Sequence, residues 1–499
     1  MPGAQLRLEP LGQTLSVPPG TALPDVLFPL GVEFPCGGRG RCKGCRIRVL
    51  EGEMPATADD RALLSEGELA QGWRLACRTT VTAAVTIELA QWEPEILSDY
   101  SSFSFEPRDG FGIALDVGTT TLVAQLLDGR SGNVAAVRTA LNPQAQLGAD
   151  IMSRIEFAVG GGQGVLEELI RTECGRLVRG LMEDAGIGPA ALNEVIVVGN
   201  TVMHHLFCGI SVEPLAHVPF VPKDDGQQQF LGHDLRWDLP VKVTFLPCLG
   251  GFVGSDILAG ILATGLDTTQ ALTALVDLGT NGEIVVGNGE RMLCASTAAG
   301  PAFEGARISA GMRAATGAIA EVWRQDGHIA CRVLGQGPPR GICGSGLVDA
   351  VAVGLDLKSI QASGRLDSGR SFALTPDIAL TQQDIRELQL AKGAIAAGLR
   401  ILLQQWGAAV SDLTRVYLAG AFGNYIRLSS AQRIGLLQVP LEKVEPSGNT
   451  ALRGAKMALF RAAQPDLSFA ALRRRVQHVS LHEDEQFQEV FVSEMPFPV

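Results

Sequence analysis

The stretch FPCGGRGRCKGC, residues 34–45, constrains the fold of this chain more than any other. It places Cys36, Cys42 and Cys45 in one glycine-rich loop, and 31 residues separate Cys45 from Cys77. Three clustered thiolates and one remote thiolate are what a [2Fe–2S] cluster needs, because each iron takes two cysteine sulfurs. Glycines in such a loop let the backbone wrap round the inorganic sulfides and point N–H groups at the cluster. The spacing therefore favours a [2Fe–2S] cluster held by these four cysteines.

Two other interpretations use the same cysteines. Structural zinc sites usually combine a C-x₂-C pair with a second pair or with histidines, and no histidine precedes His204. A disulfide framework is typical of short secreted chains, whereas this chain has 499 residues and its other six cysteines are scattered singly. We therefore place the iron–sulfur interpretation ahead of the zinc site and the disulfide framework.

Residues 1–92 resemble a ferredoxin domain of the plant or adrenodoxin type, with five residues in the first cysteine gap. The resemblance implies a β-grasp fold, and the spacing of apolar residues agrees with it. We expect strands at residues 5–8, 14–17, 45–50 and 81–89, and helices at residues 22–30 and 59–69.

The overall composition limits where such a chain works. It is 46% hydrophobic and 19% charged, so it can build several cores and more than one domain. A net charge of −12 argues against a nucleic-acid partner, and no apolar run approaches the roughly 20 residues of a membrane span. The first residues lack a secretory pattern, and ten cysteines without a framework suit a reducing compartment. We expect a cytoplasmic protein.

Residues 93–110 are rich in proline, serine and aspartate and read as a linker. After it, residues 111–128 predict a strand, a tight turn and a second strand, with Asp116 at the end of the first strand. The turn residues Gly118, Thr119 and Thr120 offer N–H and hydroxyl donors, which is a phosphate-binding device.

The same pattern returns at residues 275–288, around Asp277. A repeated strand–DxGT–strand unit at this separation predicts two related halves that face a shared cleft. Either hairpin alone is a weak signal, because Asp-Gly-Thr turns are common in ordinary β-structure. The turn residues of the second unit are Gly279, Thr280, Asn281 and Gly282.

Three further stretches fit the same cleft. Residues 343–355 predict a small-residue turn that leads into an apolar helix, whose N-terminus attracts anions. Residues 418–426 come after a predicted strand and contain a Gly-Ala-Phe-Gly turn. Such a turn can accept a flat ring against the backbone. Residues 298–314 are too rich in glycine for a plain helix and predict a loop near the nucleotide.

These elements, in this order, resemble the ASKHA superfamily of acetate and sugar kinases, heat-shock ATPases and actin. The resemblance implies that Asp116 and Asp277 hold Mg²⁺ through water or orient the attacking water. It also implies that the β- and γ-phosphates of ATP bind at Gly118, Thr119, Thr120, Gly279, Thr280, Asn281 and Gly282. The nucleoside is then expected near Gly344, Ser345, Gly420, Ala421 and Phe422. The fold class is α+β and α/β: a β-grasp ferredoxin domain (1–92), a linker (93–110) and a duplicated actin-like ATPase domain (111–499).

A ferredoxin domain fused to an ASKHA ATPase resembles the reductive activators of corrinoid-dependent proteins. The resemblance covers nearly the whole chain and includes residues 198–207, 247–256 and 342–350. It implies transfer of one electron to the Co(II) corrinoid of a partner methyltransferase or corrinoid protein, an upstream electron donor, and a homodimer as one possible state. Some members carry an extra middle domain, for which residues 93–110 leave no room, and no cysteine follows Cys343.

Two other functions remain open from the sequence. One is a small-molecule kinase with a redox-sensing ferredoxin module, and the other is a plain ferredoxin-type electron carrier with a degenerate ATPase half. Intact Asp116 and Asp277 argue against the carrier. The adjacent His204 and His205 invite a cobalt-ligand role, but we expect a packed pair in the core. The six single cysteines are expected to be buried apolar residues.

Overall fold

A computed structural model gives the structure of the chain. It describes residues 3–9, 11–30, 32, 34, 40, 45–89, 99, 101, 103, 105–279, 281–335, 337–367, 369–461 and 469–499. The predicted ligands Cys36 and Cys42, and Thr280 of the second turn, lie outside these residues. Within them, no helix combines the length and the apolar character that crossing a bilayer requires.

The N-terminal domain is a β-grasp fold, as predicted. Its main sheet has the order β2-β1-β7-β4-β5, with β1 and β7 parallel at its centre. Alternate residues of β1 and β7 point into one core, which includes Leu6, Leu8 and Ile87. The elements are β1 (Ala4–Glu9), β2 (Gln13–Val17), β3 (Thr21–Ala22), α1 (Leu23–Leu27), β4 (Arg46–Gly52), α2 (Ala58–Leu63), α3 (Glu66–Ala70), β5 (Trp73–Leu75), β6 (Thr80–Val81) and β7 (Val85–Leu89).

Two sequence predictions in this domain were wrong in detail. The helix expected at residues 59–69 is two helices, because Ser65 begins α3 with a capping box in which its side chain and that of Glu68 each accept a backbone N–H. The strand expected at residues 81–89 is also divided: Val81 ends β6, which pairs with β3, and the closing strand β7 begins only at Val85.

Residues 111–499 form a C-terminal body of two halves, and the first half is built on a six-stranded sheet of order β10-β9-β8-β11-β13-β12. Strands β8, β11 and β13 are parallel, and β8–β9 is the predicted hairpin. The elements are β8 (Phe111–Val117), β9 (Thr121–Asp128), β10 (Val134–Leu141), α4 (Ile151–Phe157), α5 (Gln163–Asp184), β11 (Leu192–Gly199), α6 (Thr201–Cys208), β12 (Gln228–Leu231), β13 (Lys242–Phe245) and α7 (Ser255–Thr264).

The second half is built on a six-stranded sheet of order β23-β22-β14-β15-β16-β24. Its elements are β14 (Thr273–Leu278), β15 (Gly282–Gly287), β16 (Met292–Thr297), β17 (Ala318–Gln325), β18 (His328–Val333), β19 (Gly341–Ile342), α8 (Gly344–Asp356), β20 (Ser371–Ala373), β21 (Ala379–Thr381), α9 (Gln382–Trp406), β22 (Arg415–Ala419), α10 (Gly420–Tyr425), α11 (Leu428–Arg433), β23 (Val444–Gly448), α12 (Thr450–Arg461), α13 (Phe469–Arg473), β24 (Val476–His478) and α14 (Phe487–Glu494).

The two halves repeat one topology. In each, three consecutive antiparallel strands are followed by two strands that join parallel on the far side of the first strand. The order β10-β9-β8-β11-β13 of the first half corresponds to β16-β15-β14-β22-β23 of the second. This confirms the duplicated actin-like fold predicted from the repeated Asp-x-Gly-Thr units.

Two helices connect the halves by packing on the opposite sheet. Helix α7 follows the last strands of the first half but packs in a core with Leu275 and Val285 of the second sheet. Helix α12 follows β23 of the second half and packs on Ala114 and Ile196 of the first sheet. The helices cross closely, since a Cβ at Gly454 would lie 1.9 Å from the carbonyl oxygen of Ala259. Each helix therefore begins at the boundary between the halves.

The described part of the expected linker is packed on the C-terminal body. Asp99 is buried and forms an ion pair with the buried Lys456 of α12. Phe103 and Phe105 lie against Phe460, with ring centroids 5.3 and 4.6 Å away. The chain is therefore fixed to the first half and α12 before β8 begins.

Candidate functional site

A cavity of about 280 Å³ lies between the two halves, where the two hairpin turns face each other. Most of the predicted nucleotide-site residues line it, although they come from four separate stretches of sequence. They are Asp116, Gly118, Thr119, Thr120, Asp277, Gly279, Asn281, Gly344, Ser345, Gly420 and Phe422. The structure thus brings both halves of the predicted site into one cleft.

The two predicted aspartates occupy equivalent positions, one residue before the end of β8 and of β14. Burial in the cavity raises the pKa of Asp116 to about 7, against the effect of a hydrogen bond from Asn449 Nδ2 to Asp116 Oδ2 (3.1 Å). Burial also raises the pKa of Asp277 to about 7, and the charges of Asp256 and Asp116 add to the shift. A cation in the cleft relieves this mutual repulsion.

Three further carboxyl groups line the cavity, those of Asp256, Glu283 and Glu304, and the sequence predicted no role for any of them. Asp256 stands in the first turn of α7, and burial raises its pKa to about 6. Glu283 of β15 pairs directly with Asp277 across the hairpin, and burial raises its pKa well above the usual range. The register of the hairpin is the signal for Glu283, because a residue opposite Asp277 shares its face of the sheet.

The arrangement suits a cation held through water. Among the described residues, no three histidine, cysteine, aspartate or glutamate side chains are close enough to hold a metal ion directly. Mg²⁺ keeps several of its waters when it binds beside phosphates. The five acidic residues of the lining and the room in the cleft therefore fit hydrated Mg²⁺ that is also bound by a nucleotide.

The first phosphate turn is held by hydrogen bonds on both sides. Gly118 N donates to Thr121 O at 3.0 Å, and Asn142 Nδ2 donates to Gly118 O at 2.8 Å. Buried Arg154 donates to Thr119 O, and Asn200 Nδ2 donates to the Thr119 hydroxyl at 2.9 Å. With their carbonyls and side chains engaged in this way, the turn residues are pre-oriented toward the cleft.

The wall opposite the turns is formed by two helix N-termini and an aromatic pair. The rings of Phe303 and Phe422 are stacked at 4.5 Å. Gly344 begins α8, where a Cβ would lie 1.8 Å from the carbonyl oxygen of Phe303. Gly420 has φ +84° and approaches Asp277, so that a side chain there would meet the carboxylate at 2.6 Å. Residues 420–423, predicted as a turn, are the first turn of α10, and the predicted loop 298–314 supplies Phe303, as expected.

Three of the predicted nucleotide-site residues are not among the described residues that line the cavity. Gly282 begins β15 and is not among the residues that line the cavity, and a Cβ added to it would meet Ile395. Its phosphate contact stays a prediction. Ala421 lies in α10, and its side chain is outside the described set. Thr280 is outside it entirely. The cavity also has Asn200, Arg313 and Asn449 in its lining, which the sequence analysis did not single out.

The described part of the cysteine loop is held against the turn that carries Cys77. Ala76 N donates to the carbonyl oxygen of buried Cys45 at 3.0 Å. Gly40, between Cys36 and Cys42 in sequence, has φ +66° and lies against the ion pair of Arg78 and Asp59. Both contacts bring the loop to the residues that flank Cys77. This geometry fits the proposed [2Fe–2S] ligand set, of which Cys36 and Cys42 are not described.

The His204–His205 pair belongs to the core, as predicted. Both side chains are fully buried in α6. His204 Nε2 donates to Gly226 O at 3.0 Å and His205 Nδ1 donates to Thr201 O at 2.9 Å. Burial lowers the pKa of both, to about 4 for His204, so that both rings are neutral at pH 7.

The single cysteines divide into two groups. Cys174, Cys248 and Cys294 are buried in the interior, and burial raises the pKa of each thiol. Cys343 is buried too, but it caps α8 and contributes to the lining of the nucleotide cavity. Cys208 and Cys331 are only half-buried, so the expectation of burial was wrong for these two.

Comparison with known protein families divides the chain into three matched regions. Residues 6–82 match the 2Fe-2S iron–sulfur cluster binding domain. Residues 111–283 match the RACo middle region, and residues 271–499 match the C-terminal ASKHA domain of RACo. The middle region is therefore present in this chain and includes the first half of the body. It begins after residues 93–110, so the absence of an extra domain within those residues stays a prediction.

Several characterised proteins are similar over most of their length. The corrinoid activation enzyme RamQ of Eubacterium limosum is 35% identical over 422 residues, which are 78% of this chain and 70% of RamQ. A [Co(II) methylated amine-specific corrinoid protein] reductase of Methanosarcina barkeri is 28% identical over 427 residues, covering 78% of this chain and 77% of the reductase. The solved structure of a reductive activator for corrinoid, iron–sulfur protein superposes with a TM-score of 0.69 at 27% identity, covering 99% of this chain and 98% of that one.

The fold and the cleft define an ASKHA-type ATPase that carries a [2Fe–2S] ferredoxin domain and binds ATP with Mg²⁺. The chain belongs to the RACo family, the reductive activators of corrinoid proteins.

Proposed function

We propose that this chain passes one electron from its [2Fe–2S] cluster to the Co(II) corrinoid of a partner methyltransferase or corrinoid protein, regenerating Co(I), and that ATP drives the transfer. The observation that carries the proposal is the joining, in one chain, of a ferredoxin domain and a two-half nucleotide cleft. The names of the similar proteins, a corrinoid activation enzyme and a corrinoid protein reductase, support it over a metabolite kinase.

An uphill electron transfer explains why ATP is needed. Plant-type [2Fe–2S] clusters have potentials near roughly −400 mV, and the family resemblance implies that the Co(II)/Co(I) couple is lower still. Moving one electron against a potential difference costs roughly 2.3 kcal/mol per 100 mV. A modest difference is within reach of nucleotide binding and hydrolysis when they bias a two-state cleft.

The proposal gives each element of the cleft a role. Asp116 and Asp277 act on Mg²⁺ through water or orient the attacking water. Gly118, Thr119 and Thr120 of the first turn, with Gly279, Thr280, Asn281 and Gly282 of the second, bind the phosphates. Of these, Gly282 is not among the residues that line the cavity, so a phosphate contact there would come from its backbone N–H. Gly344, Ser345, Gly420, Ala421 and Phe422 lie around the nucleoside. Phosphate positioning and charge stabilisation are sufficient for the hydrolysis itself.

The remaining parts of the proposal concern organisation. Cys36, Cys42, Cys45 and Cys77 hold the cluster, in a domain of residues 1–92 joined by residues 93–110 to an ATPase domain of residues 111–499. An upstream donor loads the cluster with its electron. Among the described residues, the scattered cysteines Cys174, Cys208, Cys248, Cys294, Cys331 and Cys343 form no disulfide, which supports a reducing compartment such as the cytoplasm. A homodimer is compatible with the proposal but is not required by it.

A direct test uses anaerobic protein with a reconstituted cluster. Reduced protein, Mg²⁺, ATP and a Co(II) corrinoid protein are mixed, and the visible spectrum is followed for Co(I). We expect Co(I) only when ATP is present. Formation of a phosphorylated metabolite, with no change of the corrinoid spectrum for any of several partners, would replace the proposal by the kinase.

Two variants separate the two functions of the chain. Cys45→Ser is expected to lose the visible absorbance of the cluster while ATP binding survives, because the two sites share no residue. Asp277→Ala is expected to keep the absorbance and lose ATP hydrolysis. If Cys45→Ser keeps an unchanged cluster spectrum, the ligand assignment is wrong.

A further inference from the structure

The ferredoxin domain touches both halves of the ATPase body. On the first half, Leu141 and Ala145 pack against the apolar core of the ferredoxin domain. On the second half, Arg340 donates from Nη2 to Glu88 Oε1 at 2.6 Å and from Nη1 to Leu89 O at 2.5 Å. Glu88 and Leu89 end β7, the central strand of the ferredoxin sheet. The domain is therefore placed across the boundary of the nucleotide cleft, with one contact on each side.

The contact on the second half is continuous with the nucleotide wall. Arg340 N donates to Gly317 O at 2.8 Å, and two residues later Ile342 is hydrogen-bonded to Ala310 and Met312. Cys343 then caps α8, and Gly344 lines the cavity. Ile342 is fully buried, so the segment moves with its surroundings as one unit.

The contact on the first half is equally close to the phosphates. Leu141 ends β10 and is followed by Asn142, whose backbone N donates to Thr120 O at 2.8 Å. The Asn142 side chain donates to Gly118 O. The ferredoxin domain therefore rests, on each side, on a segment that also holds a predicted nucleotide-binding element.

The two contacts differ in kind. The contact on the first half is apolar, whereas the contact on the second half includes an ion pair whose Arg340 and Glu88 side chains are only 18% and 24% exposed. Shielded charge pairs depend on geometry more steeply than apolar packing does. If bound nucleotide changes the angle between the halves, at least one of the two contacts must change. The ion pair is the more easily broken of the two.

We propose that Arg340 is a positioning residue through which nucleotide in the cleft controls where the ferredoxin domain sits. The Arg340–Glu88 contact is formed in one nucleotide state of the cleft and broken in the other. While it is formed, it holds the ferredoxin domain against the second half. This positioning role rests on the proposed function, since it describes how ATP in the cleft governs delivery of the electron. Neither Arg340 nor Glu88 lines the nucleotide cavity, so basal ATP hydrolysis does not depend on them.

The test uses the full chain with its cluster and four variants. Arg340→Ala removes the contact, and Arg340→Glu places two acidic groups together. The double variant Arg340→Glu with Glu88→Arg restores the ion pair in reverse. Arg370→Ala, an exposed arginine of the same half, is the matched control. Two quantities are measured: hydrogen exchange of residues 85–89 with and without a non-hydrolysable ATP analogue, and the ratio of corrinoid reduction rates with and without ATP.

We expect exchange at residues 85–89 to change with nucleotide in the parent chain and in Arg370→Ala, and not in Arg340→Ala or Arg340→Glu. The ATP-dependent ratio of rates is expected to fall about tenfold in the two single variants, with ATP hydrolysis unchanged within about twofold, and to recover in the double variant. A purely structural role predicts instead a lower melting temperature with an unchanged ratio, and that result, or nucleotide-independent exchange in the parent chain, overturns the inference.

Failure of this inference and failure of the proposed function give different results. If the parent chain reduces corrinoid with ATP but Arg340→Ala keeps its ratio, the function stands and the positioning role is wrong. If the parent chain reduces no corrinoid but exchange at residues 85–89 still depends on nucleotide and on Arg340, the positioning role stands and the function is wrong.

Discussion

The two halves of the ATPase body have the same strand order but present different charges to the cleft. In the first half, Val123 pairs with Asp116 across the hairpin, and Asn449 donates a hydrogen bond to the aspartate. In the second half, the residue paired with Asp277 is Glu283. The duplicated fold therefore conserves the position of the aspartate and changes what surrounds it.

The crossing helices add to the difference. Helix α12 begins beside the first half, where it delivers the amide of Asn449, whereas α7 begins beside the second half and delivers the carboxylate of Asp256. The raised pKa of Asp277 reflects the charge of Asp256 as well as burial. We infer that the second half attracts Mg²⁺ more strongly, while Asp116 is held ready by an amide donor to orient water. Three predictions test this asymmetry, and a fourth tests the raised pKa values of both aspartates.

The largest effect is expected from replacing the two aspartates separately. Asp277→Asn should lower kcat for ATP hydrolysis by about 10³-fold, and Asp116→Asn by about 10²-fold, because Asp277, with Asp256 and Glu283 nearby, would hold the cation more strongly. Steady-state phosphate release at saturating Mg²⁺ measures both, and the cluster absorbance serves as the folding control. Equal losses in the two variants would show that the halves act alike.

Glu283 is expected to affect the cation more than the chemistry. Burial raises the pKa of Glu283, and a bound cation would favour its carboxylate form. Glu283→Gln removes that carboxylate with little change of shape, so the Mg²⁺ concentration for half-maximal ATPase activity should rise about 10- to 100-fold. Ser296→Ala removes the hydroxyl within 3.4 Å of Glu283 and leaves the charge in place, which makes it the matched control. An unchanged Mg²⁺ requirement in Glu283→Gln would remove Glu283 from the site.

Asn449 offers a smaller effect with a definite pH signature. Its hydrogen bond lowers the pKa of Asp116 against the effect of burial, so Asn449→Ala should raise that pKa. The acid limb of the ATPase pH profile should then move to higher pH, and the rate near neutral pH should fall about tenfold. Because Asn449 also caps α12 through Leu452 N, Asn449→Asp is the useful companion. It keeps a capping group but loses the donor, so activity should fall while thermal stability is kept.

The smallest effect concerns stability. The folded-state pKa values of Asp116 and Asp277 are about 7, above the roughly 3.9 of an unfolded chain. The folded state therefore binds more protons, and these groups favour folding less as pH rises through 7. Without Mg²⁺ and nucleotide, the melting temperature should rise by about 2 to 4 °C from pH 8 to pH 6. The rise should shrink in the Asp116→Asn, Asp277→Asn double variant; a rise of the same size there would assign it to other groups.

Local patterns in the sequence predicted most of the fold. The hairpins around Asp116 and Asp277, the helix after Cys343 and the cysteine loop were all recognisable, because each depends on short-range periodicity and turn chemistry. The break at Ser65 was missed, although its capping sequence was visible. The role of Asp256 in the cleft was missed for a different reason. Asp256 comes near Asp277 only because α7 crosses to the opposite sheet, and no local sequence pattern encodes that crossing.

The cluster and the cleft also differ in how far sequence could define them. Cysteine spacing predicted four ligands, whereas the charge asymmetry of the cleft depends on strand register and helix crossing. Glu283 was recoverable from the register of its hairpin, but Asn449, 333 residues from Asp116, was not.

The most direct test follows one electron from cluster to corrinoid. Fully reduced protein is mixed anaerobically with an equal amount of a Co(II) corrinoid protein, and the paramagnetic signals of the cluster and of Co(II) are recorded with and without Mg²⁺ and ATP. The account predicts that both signals disappear together, one cluster for each cobalt, only when ATP is present, and that Asp277→Asn abolishes the loss. Signals that persist with ATP, or that decay equally fast without it, would contradict the coupling of the cluster to the cleft.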